Sequence, residues 1–119
     1  MIRTYQDLLV WQRSRELVKN VYLLTKEFPA EERYGLTSQT QRAAISVPSN
    51  IAEGFGRKSN QEFKRFLLIS FGSLTELQTQ ITLAGDLEYI KDQEVQSINN
   101  EIDEICKMIN GLLKKLKID

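Results

Sequence analysis

The stretch FKRFLLISFGSLTELQTQITLA, Phe63 to Ala84, sets Phe63, Leu67, Ser70, Leu74, Leu77, Ile81 and Ala84 at steps that alternate four and three without a fault. That is the period at which one side of an α-helix meets a neighbouring helix, the seam of a bundle or coiled coil. A second seam lies toward the C-terminal end, through Val95, Ile98, Ile102, Ile105, Ile109, Leu112 and Leu116, in a helix that opens near Asp92. No segment alternates with period two, so no strand is predicted. Just ahead of the quoted stretch, Ser59 and Glu62 have capping-box spacing, which predicts a helix start there and a run to about Leu83.

Working further back, a helix is predicted over Asp7 to Lys26. Val10, Leu17, Val21, Leu24 and Phe28 keep steps of three, four or seven, with Ser14, Val18 and Thr25 on the same face. Thr4 and Asp7 have capping-box spacing at its start, and Phe28-Pro29 ends it because proline turns the preceding residue away from helical angles. Pro29 opens a short turn that Gly35 stops. The next helix is expected from Thr37 or Ser38, where Ser38 and Gln41 again have cap spacing, to about Phe55 with Gly56 as the stop. Its inward stripe of Ala43, Ala44, Val47, Ile51 and Gly54 is short-chained and lets another backbone come close. Pro48 falls within that stripe, removes the hydrogen bond to the Ala44 carbonyl at a cost of ~3 kcal/mol, and predicts a kink. Asn50 is placed to satisfy the freed carbonyl. Short Gly- or Pro-marked connections then give an all-α fold, an up-down-up-down antiparallel four-helix bundle with a kinked second helix, as one domain over residues 1–119.

The composition, 41% apolar and 27% charged over 119 residues, is that of a globule with a core of its own. No apolar leader follows Met1 and no run approaches the ~20 apolar residues of a membrane span, so a cytoplasmic protein with no membrane partner is expected. The single Cys106 has no disulfide partner, which fits a reducing compartment. Charges cancel over the whole chain but not along it: residues 1 to 65 hold eleven basic and seven acidic side chains, net +4, and residues 66 to 119 net −4. Such a split favours assembly within or between subunits, with a nucleic-acid face as the other reading.

Histidine is absent, which removes the commonest general base and metal ligand together, so no enzyme, metal or cofactor is expected. Cys106 sits beside the second seam and reads as a small buried hydrophobe. Carboxylates such as Asp103 and Glu104 are sequence neighbours that point different ways, and the Glu-x-x-His motif of di-iron bundles is missing. Gly54-Phe55-Gly56 before Arg57 and Lys58 lacks the preceding strand and further glycines of a phosphate loop, and reads as a helix stop.

Three surface features remain. Around the third helix, Leu68, Ile69 and Leu83 point away from the seam with Gly72 between them, so that the run from Phe66 to Phe71 is apolar nearly all round. Phe66, Leu68, Ile69, Gly72 and Leu83 are therefore the expected contact with a second copy of the chain. On the second helix Arg42, Ser46, Ser49, Glu53 and Arg57 share one face, with Glu53 and Arg57 spaced for an ion pair. They are candidates either for bracing the kink or for binding. Arg57, Lys58, Lys64 and Arg65 cluster about the start of the third helix, where mobile cations beside backbone N–H donors suit phosphate, although a solvated turn would look the same.

The segments Tyr34-Gly35-Leu36-Thr37 and Arg42-Ala43-Ala44-Ile45-Ser46-Val47-Pro48-Ser49-Asn50-Ile51-Ala52-Glu53-Gly54 carry a distinctive pattern. Together with Glu62-Phe63, Phe66-Leu67, Gly72-Ser73, Asp7-Leu8 and Val10-Trp11, it resembles the bacterial four-helix-bundle family encoded in intervening sequences of 23S ribosomal RNA genes. The central motif supplies Ser46, Pro48, Asn50, Glu53 and Gly54. The resemblance implies an antiparallel four-helix protomer assembled into a homopentameric ring. It also implies kinship with the accessory variability determinant of diversity-generating retroelements, which binds nucleic acid and a reverse transcriptase. The function this implies is a ribosome-associated adaptor that holds RNA or an RNA–protein complex by phosphate contacts from Arg42, Arg57, Lys58, Lys64 and Arg65. Gln41 stands where relatives often carry a further basic residue. The alternative is a protein-interaction scaffold that docks another helix.

Overall fold

In the computed structural model, which describes residues 1–116, four α-helices follow one another: α1 Leu9–Thr25, α2 Leu36–Gly56, α3 Asn60–Asp86 and α4 Asp92–Lys115. Two single 3-10 turns, Tyr5–Asp7 and Ala30–Glu32, precede α1 and α2, and there is no strand among the described residues.

The caps show which local signals set the boundaries. Thr4 and Asp7 do form a capping box: the Asp7 carboxylate accepts the backbone N–H of Thr4 (3.0 Å) and Arg3 (2.8 Å), and the Thr4 hydroxyl accepts that of Gln6 (3.2 Å). The box caps the 3-10 turn, however, and α1 begins two residues later than expected, after Leu8 in extended backbone. Ser38 caps nothing. The start of α2 is set by Glu32, whose Oε1 accepts the backbone N–H of Leu36 (3.1 Å) while its Oε2 accepts the Tyr89 hydroxyl (2.8 Å). Tyr89 also packs against Phe28 with ring centroids 5.8 Å apart, so the connections before α2 and before α4 are joined. Ser59 caps α3 as expected, accepting from the Glu62 N–H at 3.3 Å.

Both seams face inward. Phe63, Leu67, Ser70, Leu74, Leu77, Ile81 and Ala84 are all buried, and so are Ile98, Ile102, Ile105 and Ile109, with Val95, Leu112 and Leu116 half-buried where α4 reaches the ends. Each fully buried Leu or Ile contributes about 1.5–3 kcal/mol. α2 lies against α1 and α3, and α4 against α3 and α1, around this core. Across α1–α4, α2–α3 and α3–α4, partner residue numbers fall on one helix as they rise on the other. Arg13 pairs with Glu104 and Asn20 with Glu101; Ser46 meets Ser73 and Gly54 meets Phe66; Gln78 meets Asp103 and Gly85 meets Val95.

α2 runs through Pro48 as one helix. Asn50 does not reach the Ala44 carbonyl: its amide donates to the Ser46 carbonyl (2.8 Å) and the Ser46 hydroxyl (2.9 Å), one turn back along its own face. Ser46 in turn shares a 2.8 Å hydrogen bond with Ser73, and the buried Ser70 hydroxyl donates to the Val47 carbonyl at 3.0 Å. Ser46 and the Val47 carbonyl thus tie the motif to α3, while Asn50 bonds within α2.

Candidate functional site

At the corner where α2 turns into α3, the expected Glu53–Arg57 pair is present at 2.8 Å. A second Arg57 nitrogen lies 3.9 Å from Glu62, and Arg65 contacts the same Glu62 carboxylate at 2.9 and 3.3 Å. Both guanidinium groups lie over the Phe66 ring, Arg57 at 5.2 Å and Arg65 at 4.5 Å from its centroid. The hydrogen bond from Arg65 holds the Glu62 carboxyl below the usual range, and Glu62 raises Arg65 in return. Two arginines expected to be mobile phosphate contacts are therefore held by two carboxylates and one aromatic ring.

Phe66 itself departs from expectation. It is 5% exposed, because Gly54 leaves room for it: a Cβ on Gly54 would stand 2.5 Å from the Phe66 Cβ. It belongs to the protomer interior and to the Arg57–Arg65 clamp, and not to an outward strip. Leu68, Ile69 and Leu83 are exposed as expected, and a Cβ added at Gly72 would meet nothing within 4 Å. Thr75, Thr79 and Thr82 extend that face, since each donates its hydroxyl to the carbonyl four residues back, at 2.8 to 3.1 Å, and so withdraws it from the surface. The threonine spacing was the available signal for this longer strip.

Of the remaining basic candidates, Arg42 and Lys58 are exposed and Lys64 is half-buried, and none of the three has an ion pair among the described residues. Lys58 occupies the turn with φ 56°, a left-handed conformation uncommon outside glycine. Lys58 and Lys64 flank the start of α3, whereas Arg42 lies about 22 Å back along α2 from Arg57 at 1.5 Å per residue. The turn and Arg42 are thus not one site.

Burial, and next the nearby Asp103, push the half-buried Cys106 thiol up, which favours the inert thiol. Among the described residues no three His, Cys, Asp or Glu side chains are placed to hold a metal ion, and no helix is long and apolar enough to cross a membrane. Between α1 and α4, Glu101 accepts from Asn20 at 3.0 Å, and burial raises its carboxyl. Glu27 and Glu94 share a hydrogen bond that raises Glu27; Glu94 is lowered, chiefly by the backbone of Lys91.

Two clefts escaped the sequence reading. One, of about 380 Å³, opens between α1 and α2 beside Trp11, Arg15, Ile45 and Pro48; the other, of about 490 Å³, lies among Arg3, Phe55, Lys58 and Phe63. Tyr5 lines both, with its ring 5.1 Å from that of Trp11 at 70°. These aromatics lie off the helix seams, so no periodicity announced them.

The sequence pattern of 23S rRNA-intervening sequence proteins matches residues 6–111. In fold the chain is similar to a crystal structure, at 1.70 Å resolution, of a protein with unknown function from the S23 ribosomal protein family of Bacteroides thetaiotaomicron. The TM-score is 0.82 and the identity 27%, over 89% of this chain and 99% of the other. No curated protein matches the chain.

Proposed function

Because the chain belongs to the 23S rRNA-intervening sequence protein family, we propose that it is a non-enzymatic oligomeric adaptor that engages RNA or an RNA–protein complex through phosphate contacts. The carrying observation is that Lys58 and Lys64 flank the start of α3 with no carboxylate partner among the described residues. Arg57 and Arg65 shape this corner and keep Phe66 in place, and Arg42 provides a separate cation on α2.

We read the protomer as an up-down-up-down antiparallel bundle bent at Pro48; the reversed order of partners across α1–α4, α2–α3 and α3–α4 supports the antiparallel course. The exposed strip through Leu68, Ile69, Gly72 and Leu83 joins copies of the chain, and a ring follows if that contact is head-to-tail and closes. The unpaired Cys106 accords with a cytoplasmic location.

The deciding experiment is RNA retention by the purified protein across a salt series, with light-scattering mass and the ratio of absorbance at 260 and 280 nm on the same sample. Affinity should fall steeply with salt and fall further in a Lys58→Glu, Lys64→Glu double variant. Retention indifferent to salt, or none at low salt, sinks the RNA reading. The α3 strip favours a second reading, a scaffold that docks another helix. In that case Leu68→Glu releases the partner while the lysine changes leave binding intact.

A further inference from the structure

The two clefts that meet at Tyr5 share one sign of charge. Arg15, Arg3 and Lys58 line them, and neither is lined by a carboxylate. A cleft between α1 and α4 is acidic by contrast, lined by Glu27, Glu94 and Glu101, and one along α1 is mixed, with Glu16 between Arg15 and Lys19. Asp7, two residues from Tyr5, is turned onto the backbone N–H groups of Arg3 and Thr4. Flat rings alternate with the cations: the Arg15 guanidinium lies over the Trp11 indole at 5.7 Å, Tyr5 meets Trp11 edge to face, and Phe55 meets Phe63 edge to face at 5.8 Å. Trp11 is only partly covered, so a planar ligand has access to it.

Positive groove walls with interleaved aromatic rings recognise single-stranded nucleic acid: the cations follow the phosphates, and unpaired bases stack on the rings. A duplex keeps its bases stacked on one another and offers only its backbone. Resting on the RNA-binding reading above, we propose that the two clefts form one groove for single-stranded nucleic acid. A base stacks on Trp11, and the strand passes over Tyr5 with its phosphates between Arg15 and the Arg3–Lys58 end. The α1–α2 cleft, and not the Arg57–Arg65 clamp, then supplies the preference for unpaired bases.

Trp11 is the one tryptophan of the chain, so its fluorescence reports on this cleft. Titrating the full chain at low salt with a single-stranded RNA oligonucleotide should quench it, and the matching duplex should leave it unchanged at equal nucleotide concentration. Arg3→Gln with Arg15→Gln should weaken the single strand about tenfold. In fluorescence anisotropy of a labelled strand, Trp11→Phe should bind more tightly than Trp11→Leu, with helical circular dichroism checking that both fold. If anisotropy shows binding while Trp11 fluorescence and the Arg3 and Arg15 variants behave as wild type, the groove is overturned and the RNA reading survives. If no RNA binds at low salt, both fall. If Trp11 emission instead shifts with protein concentration alone and RNA has no effect on it, the cleft is a contact between copies of the chain and the groove is again overturned.

Discussion

Where α2 meets α3, hydroxyls and a missing side chain make the fit: Ser46 on Ser73, Ser70 on the Val47 carbonyl, Gly54 under Phe66. Where α4 meets the rest of the bundle, Ile98, Ile102, Ile105 and Ile109 fill the space, and polar pairs such as Asn20 with Glu101 and Gln78 with Asp103 run beside them. The first interface holds two backbones at close range and has little room for more atoms. The second fills a wider gap with branched aliphatics and suffers when atoms are removed. One bundle therefore has two failure modes, overpacking on the side of the α2 motif and cavity formation on the side of α4.

The largest expected effect tests the aliphatic side. Ile102→Ala empties a fully buried position and should cost about 2–5 kcal/mol, read as a lower urea midpoint at unchanged slope. Next, on the other side, Gly54→Ala drives a methyl into Phe66 and should cost about 1–3 kcal/mol by overpacking. A double-mutant cycle with Phe66→Ala should recover part of that loss; strict additivity would mean that Gly54 and Phe66 do not limit each other. Ser70→Ala should cost about 1 kcal/mol by thermal melting, since it removes a buried hydrogen bond to Val47 without adding volume.

The smallest effect separates the sides by pH. Glu101 has its folded pKa raised by burial, so its contribution is fully present below the unfolded carboxylate pKa and is lost as pH rises through the folded value. Glu62, lowered by Arg65, behaves oppositely: its contribution is present above the unfolded pKa and is lost as pH falls through the folded one. Glu101→Gln should therefore melt slightly higher than wild type at neutral pH, with the gap closing in acid. Glu62→Gln should melt slightly lower at neutral pH and converge with wild type in acid. Matched melts at both pH values measure the two trends.

Much of the fold was legible because it is written in local period. The α3 and α4 seams need only correct spacing of apolar residues, and Ser59 needs only its own helix start. Misplaced signals were those that a distant residue decides. Ser38 and Gln41 have cap spacing, but Glu32, steadied by Tyr89 from far along the chain, takes the N–H at Leu36. Phe66 reads with the outward strip only through its place in the apolar run to Phe71; a helical wheel already sets it in line with the seam residue Ala84, and Gly54, on another helix, makes room for it. Arg65 reads as a free cation in sequence, although the spacing of Glu62 to Arg65 already allows the pair that the fold makes. The clefts at Tyr5 were not legible, since they join the chain's first turn to α1, α2 and the α2–α3 turn through residues that share no period.

The Tyr89–Glu32 bond has a kinetic consequence. It ties the two connections at one end of the bundle, so neither can open while the other stays closed without breaking it. Amide exchange at Leu36 and Tyr89 should then share one opening event. The opposite end, where α2 turns into α3, is governed by contacts of its own and should exchange on an independent clock.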